Sequence, residues 1–369
     1  MSGVYIHIPF CTAKCAYCDF LSFDNADDNT QEQYVRALLN EIRSHYFGNT
    51  IISTVYIGGG TPTALPAPLL CEVLQTIQGL PLSPSAEITL EMNPNTADFA
   101  SLEAYKSNGV NRLSIGLQAW QDNLLTAIGR SHNTSGFAQI IKTAREAGFT
   151  NINIDLMFAL PGQTMSDWHE SITQLIALDP QHISAYSLTP AEDTPLWAWL
   201  ETGQTTLPNE AADRAMYHEA IRLLTAAGYN HYELSNFAKP GHESRHNIDC
   251  WTLKHYKGFG LGVHSYDGVS RWRNTRDMQK YINGYGLRKD IEALTEQDAM
   301  AEMMFLGLRM TCGVCKQDFY DMFGTTISYI YGTQINDLQA KGLIVDSGAR
   351  IALTPLGLDL ANQVFEAFI

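Results

Sequence analysis

Three cysteines within eight residues, Cys11-x3-Cys15-x2-Cys18 in the run YIHIPFCTAKCAYCDF, are the first chemical signal of this chain. Three thiolates leave a four-coordinate ion one ligand short, and a structural zinc site wants a fourth Cys or His at short spacing. Asp19 and Phe20 follow at once. His7, the nearest upstream imidazole, alternates with apolar Ile6 and Ile8 as a strand residue does. A cube-shaped iron–sulfur cluster suits such a triplet, because three cysteines hold three irons and leave the fourth open to an exogenous ligand.

Further polar residues recur at the ends of apolar runs. Gly58-Gly59-Gly60-Thr61-Pro62-Thr63 offers backbone N–H groups and a hydroxyl where a ligand can approach closely. Glu91 and Asn93, Gln118, and Asp155 end three other runs, and Arg130 stands in IGRSH with a fork suited to a carboxylate. Singly, each reads as a turn, a cap or a surface ion pair. Together, on one rim beside the cysteines, they read as a polar small-molecule pocket.

That rim needs a scaffold. Strand patterns start at Val4, Thr54, Glu87, Arg112, Asn151 and His182 and alternate with helical ones. In QEQYVRALLNEIRSHYF, Tyr34, Val35, Leu38, Leu39 and Ile42 share one face. Six strand–helix units predict an α/β fold with a parallel sheet and right-handed crossovers, an open partial (β/α)6 barrel. Function in such barrels gathers at the C-terminal strand ends. The pattern predicts a barrel over 1–230, a connecting segment over 231–290, and a C-terminal winged-helix-like domain over 291–369, with a hairpin around Asp346–Gly348.

The bulk numbers exclude several classes. Of 369 residues 45% are apolar and 17% charged, enough for a substantial core. A net charge of −15 without a basic stripe argues against nucleic acid. No run is long and apolar enough to span a membrane, and no signal-peptide pattern opens the chain. Seven cysteines, an odd number with three clustered, fit a reducing cytoplasm.

The cysteine loop, GGGTPT, EITLEMNP, RLSIGLQ and IDLMFALPGQT in combination resemble the radical S-adenosylmethionine (SAM) superfamily, over essentially the whole chain. More narrowly they are similar to the branch that holds oxygen-independent coproporphyrinogen III oxidase and its relatives. The resemblance implies a radical SAM barrel with a [4Fe–4S] cluster on Cys11, Cys15 and Cys18, SAM chelating the open iron. It puts the SAM contacts on Tyr5, Tyr17, Gly59, Gly60, Thr61, Glu91, Gln118, Arg130 and Asp155.

Within that branch two readings compete: a porphyrinogen oxidase and a haem-binding chaperone. The oxidase pattern has a further cysteine two residues after the third, where this chain has Phe20, and a long segment before the loop, where this chain has ten residues. ESRHNIDCW is similar to the HNxxYW segment of the chaperone group, which implies His246 as axial ligand to haem iron and Trp251 as a stacking partner. Cys250 stands at the tyrosine position, and its thiolate is either a bystander or a second route to iron. The chaperone reading is the one expected, with haem as cargo, acceptor haemoproteins as partners, peripheral membrane association through them, and a homodimer left open. His264 reads as a second haem ligand or a packed loop residue. Cys312-x2-Cys315 and Cys71 read as structural or incidental.

Overall fold

A computed structural model describes residues 2–369. The first half of the chain alternates strands β1 (Ser2–Ile8), β2 (Ile52–Gly59), β3 (Leu82–Met92), β4 (Arg112–Gln118), β5 (Ile152–Phe158) and β6 (His182–Ser187) with helices α1 (Asp28–Ser44), α2 (Ala67–Gln78), α3 (Phe99–Ser107), α4 (Asp122–Ala127), α5 (Thr134–Glu146) and α6 (Met165–Leu178). The six strands lie side by side in chain order, every pair parallel, as the alternation predicts.

Period-two burial explains the barrel. In β1, Val4, Ile6 and Ile8 are fully buried in the large apolar cluster shared with the helices, where Tyr34, Val35, Leu38, Leu39 and Ile42 of α1 meet them. The intervening residues take the other face, which is polar: Tyr5 and His7 on β1, Tyr56 on β2, Glu91 on β3, Ser114 on β4, Asp155 on β5, Ser184 and Tyr186 on β6. Helix starts are fixed locally. Asp27 caps α1 by accepting from Thr30 N–H at 2.8 Å, and Thr164 with Asp167 forms a capping box on α6.

Helices α7 (Pro195–Glu201) and α8 (Glu210–Ala226) lead into β7 (Asn230–Glu233) and β8 (Asn236–Ala238). Then follow α9 (Arg245–Trp251), β9 (Tyr256–Phe259), β10 (His264–Tyr266), β11 (Ser270–Arg273), α10 (Met278–Ile282) and β12 (Lys289–Ala293). The stretch expected as a mere connecting segment instead extends both edges of the main sheet, whose order is β12-β11-β10-β9-β1-β2-β3-β4-β5-β6-β8-β7. Its strands are three to five residues long, too short to show a period. Between the two edges the chain runs through α9, which packs against β2.

The remaining elements are α11 (Glu296–Gly307), β13 (Val314–Cys315), α12 (Lys316–Phe323), α13 (Ile327–Ala340), β14 (Ile344–Asp346), β15 (Arg350–Leu353), α14 (Pro355–Asp359) and α15 (Ala361–Glu366). One helix, a strand, two helices and a two-stranded wing over a separate apolar cluster make the winged-helix arrangement, with β15 central in its sheet. Arg271 of β11 grips Glu302 of α11 with two donors and ties this unit to the main sheet.

Candidate functional site

A cavity of ≈ 380 Å³ opens at the C-terminal ends of the barrel strands, between the cysteine loop and the strand tips. The three cysteines line it together with Tyr17, Gly59, Gly60, Thr61, Glu91, Gln118, Arg130 and Asp155. Two expected residues stand apart from its wall. Tyr5 lies beneath, its ring stacked on Tyr56 at 6.2 Å between centroids and its hydroxyl 3.3 Å from His7 Nδ1. His246, discussed below, is the other.

The glycine run is a packing requirement. A Cβ on Gly58 would fall 2.6 Å from Glu91 Oε2, and one on Gly60 2.7 Å from the Phe10 carbonyl. Gly59 has φ +115°, and a Cβ there would meet the His7 ring. Three bare backbones thus let β2 end against the cysteine loop, where Thr61 N–H donates to Phe10 O at 2.7 Å and Gly60 N–H to Ile8 O at 2.9 Å.

Side chains then reach the sulfurs. Thr61 Oγ1 donates to Cys11 Sγ at 3.6 Å and Arg130 Nη1 to Cys15 Sγ at 3.5 Å. Asn93 holds both donors in place: its Nδ2 donates to Thr61 Oγ1 at 3.0 Å, and its Oδ1 accepts from Arg130 Nη2 at 2.6 Å. Burial pushes the Cys11 thiol up and Cys18 to about 11, so metal loading must displace protons. Among the described residues no three His, Cys, Asp or Glu side chains converge on one ion. Three sulfurs spread along one wall, two of them already hydrogen-bonded, are a donor set for a cluster rather than a single metal.

Acceptors face the opposite side. Glu91 takes Tyr56 Oη–H at 2.7 Å and Gly59 N–H at 3.2 Å, and burial raises it to about 7. Burial also raises Asp155, which is held by Asn153 Nδ2 at 2.7 Å and Ser114 Oγ at 3.4 Å. Gln118 sits at φ +73°, a strained strand end, and accepts from Tyr186 Oη at 3.0 Å. Such a rim presents acceptors for ammonium and hydroxyl groups and a guanidinium for a carboxylate.

The far end of the cavity was not legible in sequence. Glu233 and Asn236 of the HYELSN run, Asn247 and Trp251 of α9, and Arg309 line it. Arg309 lies 4.4 Å from the Trp251 ring. Glu233 Oε2, Asn236 Oδ1, Trp251 Nε1 and Arg309 Nε are all buried without a hydrogen-bond partner. Glu233 at a strand end was the available signal, since it matches Glu91 in kind.

His246 is buried beneath Tyr56, 5.3 Å between ring centroids, with Nδ1 3.0 Å from Thr54 Oγ1. Its N–H and that of Arg245 both donate to Glu87 at 3.2 Å, and burial lowers the imidazole to about 4. In this position the ring anchors α9 to the barrel, and an iron would reach it only if α9 moved. Trp251 does face the cavity. Burial raises the Cys250 thiol to about 11, and His264 is an exposed residue of β10. All seven cysteines are free, Cys312 exposed and Cys71 half-buried on α2.

Residues 5–175 match the family model of the Radical SAM superfamily, and residues 294–360 that of the HemN C-terminal domain. The fold is similar to that of coproporphyrinogen III oxidase (HemN) from Escherichia coli, with a TM-score of 0.86 over 99% of this chain and 89% of that one at 22% identity, a likeness of fold. This is a radical SAM protein. Along its whole length the chain is 38% identical to the heme chaperone HemW of Bacillus subtilis, covering 99% of that protein, and 32% identical to HemW of Escherichia coli, covering 98%. It is also 31% identical to the mitochondrial radical S-adenosyl methionine domain-containing protein 1 of Danio rerio, covering 87%. The chain belongs to the HemW heme chaperone family.

Proposed function

We propose that this protein is a haem chaperone that carries a [4Fe–4S] cluster on Cys11, Cys15 and Cys18 and holds SAM in the barrel cavity. The observation that carries the reading is the arrangement of three thiols and two sulfur-directed donors, Thr61 and Arg130, on the wall of one cavity whose other wall is Glu91, Gln118 and Asp155. When bound, the pair would supply one-electron chemistry at the sulfonium.

The chain's own residues bind and orient. Arg130 would receive a carboxylate while keeping Asn93 and the Gly116 carbonyl as its brace. Glu91 and Asp155 would accept from ammonium or ribose hydroxyls, and Tyr17 and Tyr186 would wall the base. Thr61 and Arg130 would donate to ligated sulfur and so set the cluster potential. Haem would be cargo, passed to acceptor haemoproteins in the cytoplasm, with membrane association through those acceptors. No helix among the described residues is long and apolar enough to cross a membrane.

The test is anaerobic reconstitution followed by iron and sulfide analysis, EPR of the reduced protein with and without SAM, and haem transfer to an apo-haemoprotein. The reading expects four irons per chain, a SAM-dependent EPR change, loss of both in Cys15→Ser, and haem transfer. Protoporphyrinogen formation from coproporphyrinogen III with SAM would refute it.

A further inference from the structure

Four buried polar atoms without a partner among the described residues meet at the far end of the barrel cavity: Glu233 Oε2, Asn236 Oδ1, Trp251 Nε1 and Arg309 Nε. Two are acceptors and two are donors. A folded chain rarely leaves such groups unmade, and four of them on one cavity wall mark a place that a ligand completes. Glu233 is only 1% exposed. Its Oε1 accepts from Ser235 N–H at 3.0 Å and from Asn236 Nδ2, which leaves Oε2 over.

Arg309 comes from outside the barrel. The chain leaving α11 runs beside β7, where Leu234 N–H donates to Arg309 O at 3.0 Å and Thr311 N–H to Tyr232 O at 3.1 Å. Thr311 Oγ1 adds a bond to His231 O at 2.8 Å. This pairing delivers the guanidinium from the C-terminal unit into the cavity wall, 4.4 Å over the Trp251 ring of α9. The Arg309 side chain makes no hydrogen bond or ion pair among the described residues. Burial works against its charge, and the charges of Glu233 and Tyr217 favour it. Glu233 and Arg309 therefore sense each other without closing to a contact, and the space between them is polar on both sides.

The donors fit a carboxylate, whose two oxygens can accept from a guanidinium edge and an indole N–H together. One guanidinium balances one negative charge, so an entering carboxylate and Glu233 would share a single proton, as paired carboxyls in a buried site do. Burial already raises Glu233 toward holding it. Asn236 Oδ1, the remaining acceptor, suits a bridging water. At ≈ 380 Å³ the cavity is at the small end of ligand pockets, so beside SAM its far end admits an arm and not a macrocycle. The carboxylate of SAM is assigned to Arg130; haem, the cargo, brings two more.

We propose that Arg309 and Trp251 bind a carboxylate arm of the tetrapyrrole cargo, with Glu233 facing the same group across the end of the cavity. The inference rests on the chaperone reading above. It gives the C-terminal unit a task, since the barrel cannot complete this subsite without the side chain that unit supplies.

The experiment compares ferric haem with its dimethyl ester, in which both arms are neutral, by Soret titration of the full-length reconstituted protein. Wild type should bind haem at least tenfold more tightly than the ester. Arg309→Gln should lose that preference by weakening haem alone, with affinity for the ester kept. Arg309→Lys keeps the charge without the fork and should narrow the preference. Glu233→Gln removes the competing negative charge and should widen it. The SAM-dependent EPR change should persist in Arg309→Gln; its loss would give Arg309 to the carboxylate of SAM and overturn the assignment to cargo. If Arg309→Gln does not fold, the ester comparison and Arg309→Lys decide. Equal affinity of wild type for haem and ester would overturn the subsite while leaving the chaperone reading intact. So would a preference that survives whole in either Arg309 variant or narrows in Glu233→Gln. No saturable haem binding by wild type would overturn both.

Discussion

Glu91 gives the most direct handle on the barrel interior. Burial lifts its carboxyl from 4.5 to about 7, against one strong donor, Tyr56, and one weak one, Gly59. The folded chain therefore keeps a proton on Glu91 between pH 4.5 and 7 that the unfolded chain has lost. The stability it contributes is fully present below pH 4.5 and drains as pH rises through that window. At about 1.4 kcal/mol per unit the ceiling is about 3.4 kcal/mol. Part of the side chain borders the cavity, where water lowers the cost of charge, so about 2 kcal/mol is expected. Glu91→Gln keeps the acceptor for Tyr56 and removes the titration. Urea unfolding of the iron-free protein and this variant at pH 5, 6, 7 and 8 isolates the effect, since groups that do not interact with Glu91 cancel in the difference and only Asp155, whose charge raises Glu91, stays coupled to it. The wild type should fall relative to the variant by about 2 kcal/mol across the range. A difference independent of pH, or a wild type that gains on the variant as pH rises, would mean that Glu91 is stabilised as the anion and that this electrostatic account is wrong.

Other residues can be tested in turn. Asn93→Ala unlocks both sulfur donors, and loss of about 1 kcal/mol of hydrogen bonding to the reduced cluster should lower its potential by about 40 mV; an unchanged EPR-monitored redox titration would remove the bracing role. Gly60→Ala drives a methyl against the Phe10 carbonyl beside Cys11, so iron per chain should fall below half after reconstitution, and full loading would show that the loop yields. Arg271→Met strands Glu302, whose side chain is 9% exposed, and should cost about 2 kcal/mol; accelerated proteolysis between β12 and α11 is the accompanying sign, and a wild-type melting temperature would discount the tie. Cys15→Ser removes the sulfur that Arg130 donates to, so iron and sulfide per chain should fall to background after reconstitution; full loading would remove Cys15 from the ligand set.

The parallel barrel was readable because two periods coincide in it. Apolar alternation marks Val4, Ile6 and Ile8 as one face of a strand, and the 3.6-residue stripe of Tyr34 to Ile42 marks the helix that covers them. The site followed because barrel strands deliver their last residues to one rim, so Thr61, Glu91, Gln118 and Asp155 could be collected from separate motifs. Tyr56 and Tyr186 escaped notice since a tyrosine in a strand looks like packing until its hydroxyl is seen on Glu91 or Gln118. The burial of His246 was hidden for a related reason. ESRHNIDCW is polar and reads as an exposed loop, but Ser244 caps a helix there, and the turn it starts is drawn into the barrel by Glu87 accepting two of its N–H groups. Polarity meant burial against polar partners. Arg309 and Glu233, more than seventy residues apart, meet through tertiary packing that no local pattern encodes.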